Sequence, residues 1–140
     1  MAGALYDKGR EAFLGVASGS INWINDEIKA VLVSSSYSPN LATHQFLPSV
    51  DARTGSLTAQ VLASKTATAG VADAADVTFT AVPVGMVIDY VLLFKNDGKP
   101  NTSPLIALID SGSATGLPLT GSGADVSIVW SNGSNKIFKL

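Results

Sequence analysis

Apolar residues recur along this chain in short runs with a two-residue period, separated by clusters of Gly, Ser, Asn and Pro. In residues 76–81, Val77, Phe79 and Ala81 alternate with Asp76, Thr78 and Thr80, the pattern of a strand with one face on a core and one in water. Val126, Ile128 and Trp130 alternate with Ser127 and Ser131 in the same way. Residues 28–34 and 87–94 are apolar on both faces, which predicts buried strands, the second of them central. Asn96, Asp97 and Gly98 supply residues that accept positive φ, predicting a turn into a further strand over residues 105–109. Asn132 and Gly133 predict a tight turn after which residues 136–140 return as the partner of 126–130, with Leu140 tied into the sheet. Residues 21–24 read as another strand. Leu57, Ala59 and Val61 alternate with Thr58 and Gln60 like a half-exposed strand, although the small, polar stretch that follows, with Thr66 to Gly70, reads equally as a surface loop.

Helical spacing is rare. Leu5, Tyr6, Gly9 and Phe13 fall near one side of a helix, but Gly9 sits mid-pattern, where glycine costs about 1 kcal/mol relative to alanine. Residues 1–15 therefore read as a short helix or as an extended arm that docks on a partner, ahead of a β-domain over residues 16–140. Asn40 is placed to cap one or two helical turns that Pro48 ends. Seven or eight short strands without a βαβ rhythm predict a mainly β protein: a single antiparallel β-sandwich or barrel-like domain.

Composition narrows the function. With no cysteine, one histidine and 14% charged residues, the chain is poor in the groups that acid–base, nucleophilic and metal chemistry use, which points to a building block and not an enzyme. The net charge of −2, without a cluster of cations, points away from nucleic acid. Asp89 interrupts the longest apolar run, residues 86–94, which is far shorter than the roughly twenty residues of a membrane span. Asp7, Lys8, Arg10 and Glu11 occupy the place where a secretory signal needs apolar residues, so synthesis in the cytoplasm is expected. A mean hydropathy of +0.32 with so few charges implies a surface of small polar groups or one covered by neighbouring subunits.

Individual residues carry little chemistry. His44 is the lone imidazole and reads as a hydrogen-bonding structural residue. Asp73 and Asp76, with Asp110 or Asp125, lack the spacing of a calcium loop and read as turn residues. Asp89 is either buried against a cation or faces water at an edge. The Asn-x-Ser/Thr triplets at Asn101 and Asn132 read as turns, the Gly121-Ser122-Gly123 stretch lacks the rest of a phosphate cradle, and Trp23, Trp130, Phe79 and Phe94 read as core. No catalytic, metal or cofactor-binding residue is assigned. The candidate partner contacts are Leu5, Tyr6, Arg10 and Phe13 on the N-terminal segment.

Six segments, in order along the chain, carry a resemblance. They are Leu5-Tyr6-Asp7-Lys8-Gly9-Arg10-Glu11-Ala12-Phe13-Leu14, residues 28–33, Asn40-Leu41-Ala42-Thr43-His44-Gln45-Phe46-Leu47, and residues 70–79, 105–110 and 135–140. In these the chain resembles small virion structural proteins of tailed bacteriophages. The resemblance implies a location in the virion, favouring the capsid surface, where a decoration (cement) protein in many copies or as a homo-oligomer binds the major capsid protein lattice and stabilises the head. It also admits a head-to-tail connector or tail component, and a receptor- or glycan-binding module. The Gly/Ser/Thr-rich middle and the scarcity of surface aromatics weigh against the last.

Overall fold

Three strands dominate the structure because their sequences leave neither face fit for water. The computed structural model describes residues 4–15, 20–50, 59–110, 114–115 and 117–140. Among these residues the elements are β1 (Ala4–Leu5), α1 (Asp7–Phe13), β2 (Ile28–Ser34), β3 (Gln60–Val61), β4 (Thr66–Thr68), β5 (Val71–Asp73), β6 (Val77–Phe79), β7 (Val87–Lys95), β8 (Leu105–Ile109), β9 (Ala114–Thr115), β10 (Leu119–Thr120), β11 (Val126–Trp130) and β12 (Phe138–Lys139), with 3-10 turns at Leu47–Ser49 and Pro100–Thr102. The protein is mainly β and every strand pair is antiparallel. The large sheet runs β1-β8-β7-β2-β3, with β10 also on β7; two smaller sheets run β6-β11-β9 and β12-β5-β4.

The large sheet carries a core on each side. Ile28, Ala30 and Leu32 of β2, with Val91 and Leu93 of β7, join a cluster completed by Ala72, Phe79, Ile128, Trp130 and Phe138 from the smaller sheets, so the sheets pack in a sandwich-like arrangement. Val31, Val33, Leu92, Phe94, Leu105 and Leu108 face the other way and are covered by Tyr6, Tyr37, Leu47 and Val50. Two bulges re-aim side chains between these faces. Val33 pairs with Tyr90 but Ser34 with Ile88, leaving Asp89 as the extra residue of β7; Leu93 pairs with Ala107 but Phe94 with Leu105, leaving Ile106 extra on β8. The polar interruption in the apolar run is thus a bulge residue, half-buried and without an ion pair among the described residues.

The N-terminal segment packs on its own domain. β1 pairs with the outer edge of β8, Ala4 opposite Leu108 and Leu5 opposite Ala107, and the Tyr6 amide donates to the bulged Ile106 carbonyl at 3.0 Å. Gly9 then lets α1 lie against backbone: a Cβ there would stand 2.7 Å from the Leu105 carbonyl oxygen and 2.9 Å from that of Ile106. The glycine that weakens the isolated helix is the one that allows it to dock.

Other expectations need correction. Residues 21–24 form no strand, because Asn22 Oδ1 accepts the amides of Ile24 and Asn25 while Asp26 Oδ2 accepts that of Asn22, closing a turn that buries Ile21 and Trp23. Asn40 caps a single turn, its Oδ1 taking the Ala42 and Thr43 amides. Of the strand expected around residues 57–61 only β3 is present among the described residues; Leu57 and Thr58 lie outside them. The stretch with a loop-like composition is a hairpin: Ala69 and Gly70, both at positive φ, link β4 to β5 in the manner of a two-residue primed turn. The chain's last strand pairs with β5 and not with β11.

The β7–β8 connection is organised by Asp97, whose Oδ1 accepts from the Thr102 hydroxyl at 2.8 Å, the Lys99 amide at 3.2 Å and the Ser103 hydroxyl at 3.3 Å. The Thr102 hydrogen bond foremost holds this carboxyl below its ordinary pKa, with the Lys99 amide and Ser103 assisting against slight desolvation. A depressed folded-state value contributes stability above the unfolded value, near 4, and that contribution is lost as pH falls through the folded value. Asp97→Asn is expected to flatten the acid side of the stability–pH profile in urea unfolding and to leave its alkaline side unchanged; an unaltered acid limb counts against the role given to Asp97. Gly9→Ala is expected to lower the melting temperature, since displacing α1 from β8 costs about 1–3 kcal/mol against a helix-propensity gain of about 1 kcal/mol. A higher melting temperature would contradict the close contact.

Candidate interaction surface

What α1 leaves exposed is set by what it buries. Gly9 and Ala12 face the sheet, and Asp7 sits in the first turn, where a carboxylate complements the helix dipole. Exposed pairs Arg10–Asp7 (2.8 Å) and Lys8–Glu11 (3.0 Å) dress the outer side, each worth about 0–1 kcal/mol. Phe13 closes the helix half-buried, its ring 5.9 Å from Phe138, which in turn meets Trp23 edge-on at 5.2 Å. Leu14 follows at the C-cap and is 87% exposed; Gly15, at φ 91°, then turns the chain away.

Beside the helix end lies β12. The Leu140 amide donates to the Gly70 carbonyl at 3.0 Å, yet the residue remains 59% exposed. Arg10, Phe13, Leu14, Lys139 and Leu140 together line a groove of about 280 Å³ with an apolar floor and two cationic side chains. A leucine left this open on a helix end, next to a half-covered phenylalanine and a second leucine, makes a small exposed apolar patch. Because the Arg10–Asp7 pair is exposed and weak, a partner carboxylate can take Asp7's place at low cost.

Of the four residues the sequence singled out, two reach this groove. Arg10 and Phe13 line it, whereas Leu5 and Tyr6 are buried in the domain itself. Leu14, Lys139 and Leu140 escaped sequence reading. Leu14 had a signal, a large apolar residue just before a helix-ending glycine, but the approach of β12 comes from pairing with β5, about seventy residues distant in sequence.

His44 takes part in a hydrogen-bond chain instead of lying alone. Its Nδ1 is 2.6 Å from the Tyr37 hydroxyl, which is 2.9 Å from the fully buried hydroxyl of Tyr6. With Nδ1 as acceptor, Tyr37 donates to it and accepts from Tyr6. Burial first, and then the Tyr37 hydrogen bond, push the Tyr6 phenol above its ordinary pKa. The chain ties the N-terminal segment to the loop covering the second core. The carboxylates considered together in the sequence are held apart by separate tasks: Asp76 accepts the Trp130 amide at 3.0 Å and Asp125 that of Ala81 at 2.9 Å, while Asp110 borders a shallow cleft with Asp89 and Asp73 lies in another. Among the described residues no three potential ligands converge on a metal position, and no helix is long and apolar enough to cross a membrane.

Compared with protein-family models, curated proteins and solved structures, the chain matches none. Tyr6→Phe removes one buried hydrogen bond and is expected to reduce unfolding free energy by about 1 kcal/mol in urea titration. A substitution without effect would remove the chain from the account of how the N-terminus is held.

Proposed function

We propose that this protein is a structural component of a tailed-phage virion, a decoration or cement protein seated in many copies on the outer face of the head and bound to the major capsid protein. The observation that carries the reading is the exposed apolar groove beside α1, on a domain whose cores are complete without it. The identity of the partner follows from the resemblance carried by the six segments. Arg10 and Lys139 fit an occupant in which an apolar side chain stands next to a carboxylate, and a capsid-protein segment of that kind is the proposed one.

Supporting physics comes from repetition. A groove this small gives modest affinity on its own, but a subunit bridging neighbouring capsid proteins engages more than once, and the second contact forms at high effective concentration. The scarcity of charge suits a surface that spends its life against other protein. Attachment in this reading uses the end of α1 and not an arm that peels away, since Leu5 and Tyr6 are buried in the domain's own cores.

Leu14→Asp and Lys139→Glu alter only exposed groove positions. Both are expected to melt like the unmodified protein and to reduce its copies per particle at least about tenfold when phage is propagated on the variant gene, a loss of about 1.4 kcal/mol per site or more. Normal incorporation of both would refute the groove as the seat. Counting copies in unmodified particles separates the roles: hundreds accord with decoration, and about a dozen with a connector ring.

A further inference from the structure

A second concavity lies on the other side of the β4–β5 hairpin from the core, and its chemistry is unlike that of the groove. Thr66 stands directly opposite Asp73 and Thr68 opposite Val71, so these four side chains share one face of the hairpin, while Ala72 on the other face joins the core. The loop after β11 forms the facing wall with Asn132, Gly133, Ser134 and Lys136, enclosing about 430 Å³. Val71 is the only large apolar contributor. No side-chain hydrogen bond or ion pair within the protein engages the polar side chains of Thr66, Thr68, Asp73, Asn132, Ser134 or Lys136 among the described residues.

The walls are built in advance. The Trp130 indole donates to the Ala75 carbonyl at 3.0 Å and the Trp23 indole to that of Thr66, also at 3.0 Å. The loop is closed by the Gly133 amide on the Ser131 hydroxyl (3.0 Å), the Lys136 amide on the Gly133 carbonyl (3.1 Å) and the Ile137 amide on the Ala72 carbonyl (3.1 Å). Lys136 sits at φ 47°, a left-handed conformation that costs a non-glycine residue about 1 kcal/mol or more and persists because these bonds over-determine it.

We infer that this cleft binds a polyhydroxylated ligand, a saccharide, through hydrogen bonds alone. An anion such as phosphate meets Asp73, a small cation meets Lys136, and an apolar or planar ring finds neither an apolar floor nor an aromatic face. A sugar hydroxyl both donates and accepts, which matches a carboxylate that only accepts, an ammonium that only donates, and amide and hydroxyl groups that do both. Asp73 spans two adjacent hydroxyls as their common acceptor, and Asn132 and Lys136 donate from the facing wall. The inference does not rest on the virion role, since the cleft shares no residue with the groove.

The test is a titration of the isotope-labelled protein with maltose, cellobiose, lactose and chitobiose to about 20 mM, because a site lacking stacking binds weakly. At least one sugar is expected to give saturable amide shifts confined to residues 66–73 and 131–137. Asp73→Ala and Asn132→Ala are each expected to weaken that binding about fivefold or more while the rest of the spectrum is retained; Asn132 is exposed, so its variant stays informative even if the Asp73 variant fails to fold. A longer oligomer that binds more tightly than its disaccharide marks a polysaccharide as the natural source, and equal affinity marks a free sugar. Absence of shifts in the cleft with all four sugars, or shifts that survive both substitutions, overturns the inference.

Discussion

Burial of β2, β7 and β8 on both faces is the constraint from which the rest of the structure follows. Fully burying one Leu, Ile or Val is worth about 1.5–3 kcal/mol, and these strands hold most of the largest buried side chains, so the remaining chain is committed to covering them. Two small sheets cover one side, and the segment running through Tyr37, Leu47 and Val50 covers the other. The N-terminal segment seals the outer edge where the two cores meet: Leu5 belongs to one and Tyr6 to the other. Gly9 and the Ile106 bulge are the two local departures from regular geometry that permit this seal, one by omitting a side chain and one by re-aiming a carbonyl.

That division of labour explains where interaction surfaces can form. Apolar side chains of the central strands are spent largely on the two cores, so most outward apolar groups lie elsewhere, among them Leu14 at the end of α1, Val84 in the loop before β7 and Leu140 after β12. Polar side chains collect on the other side of the β4–β5 hairpin for the converse reason, since Ala72 and its partner Phe138 face the core. Groove and cleft thus draw on different residues of one small sheet, Lys139 of the groove standing opposite Val71 of the cleft.

The sequence disclosed these features unevenly. Period-two alternation located β6 and β11, and nearly continuous apolar runs located β2, β7 and β8, because burial on one or two faces leaves a direct trace in side-chain polarity. Strand partners were illegible: Asn132-Gly133 suggested a hairpin, but the chain's last strand crosses to β5, a pairing set by the shape of the core. The Ala69-Gly70 turn was hidden because alanine seldom adopts positive φ, and Asp89 read equally as a buried, paired charge or as an edge residue because a bulge has no compositional signature. Two of the five groove residues were legible, Arg10 and Phe13, since helical spacing marks an amphipathic segment. Which of its apolar residues turn inward depends on the close approach at Gly9, a tertiary property.

We propose that this β-domain seats on a phage capsid through the end of α1 and β12. A reconstruction of the intact particle tests it most directly. One copy of the domain is expected at repeated positions on the outer shell, with Phe13, Leu14 and Leu140 against the major capsid protein. Density for the protein confined to the neck or tail, or a shell-bound domain whose groove faces solvent, would contradict it.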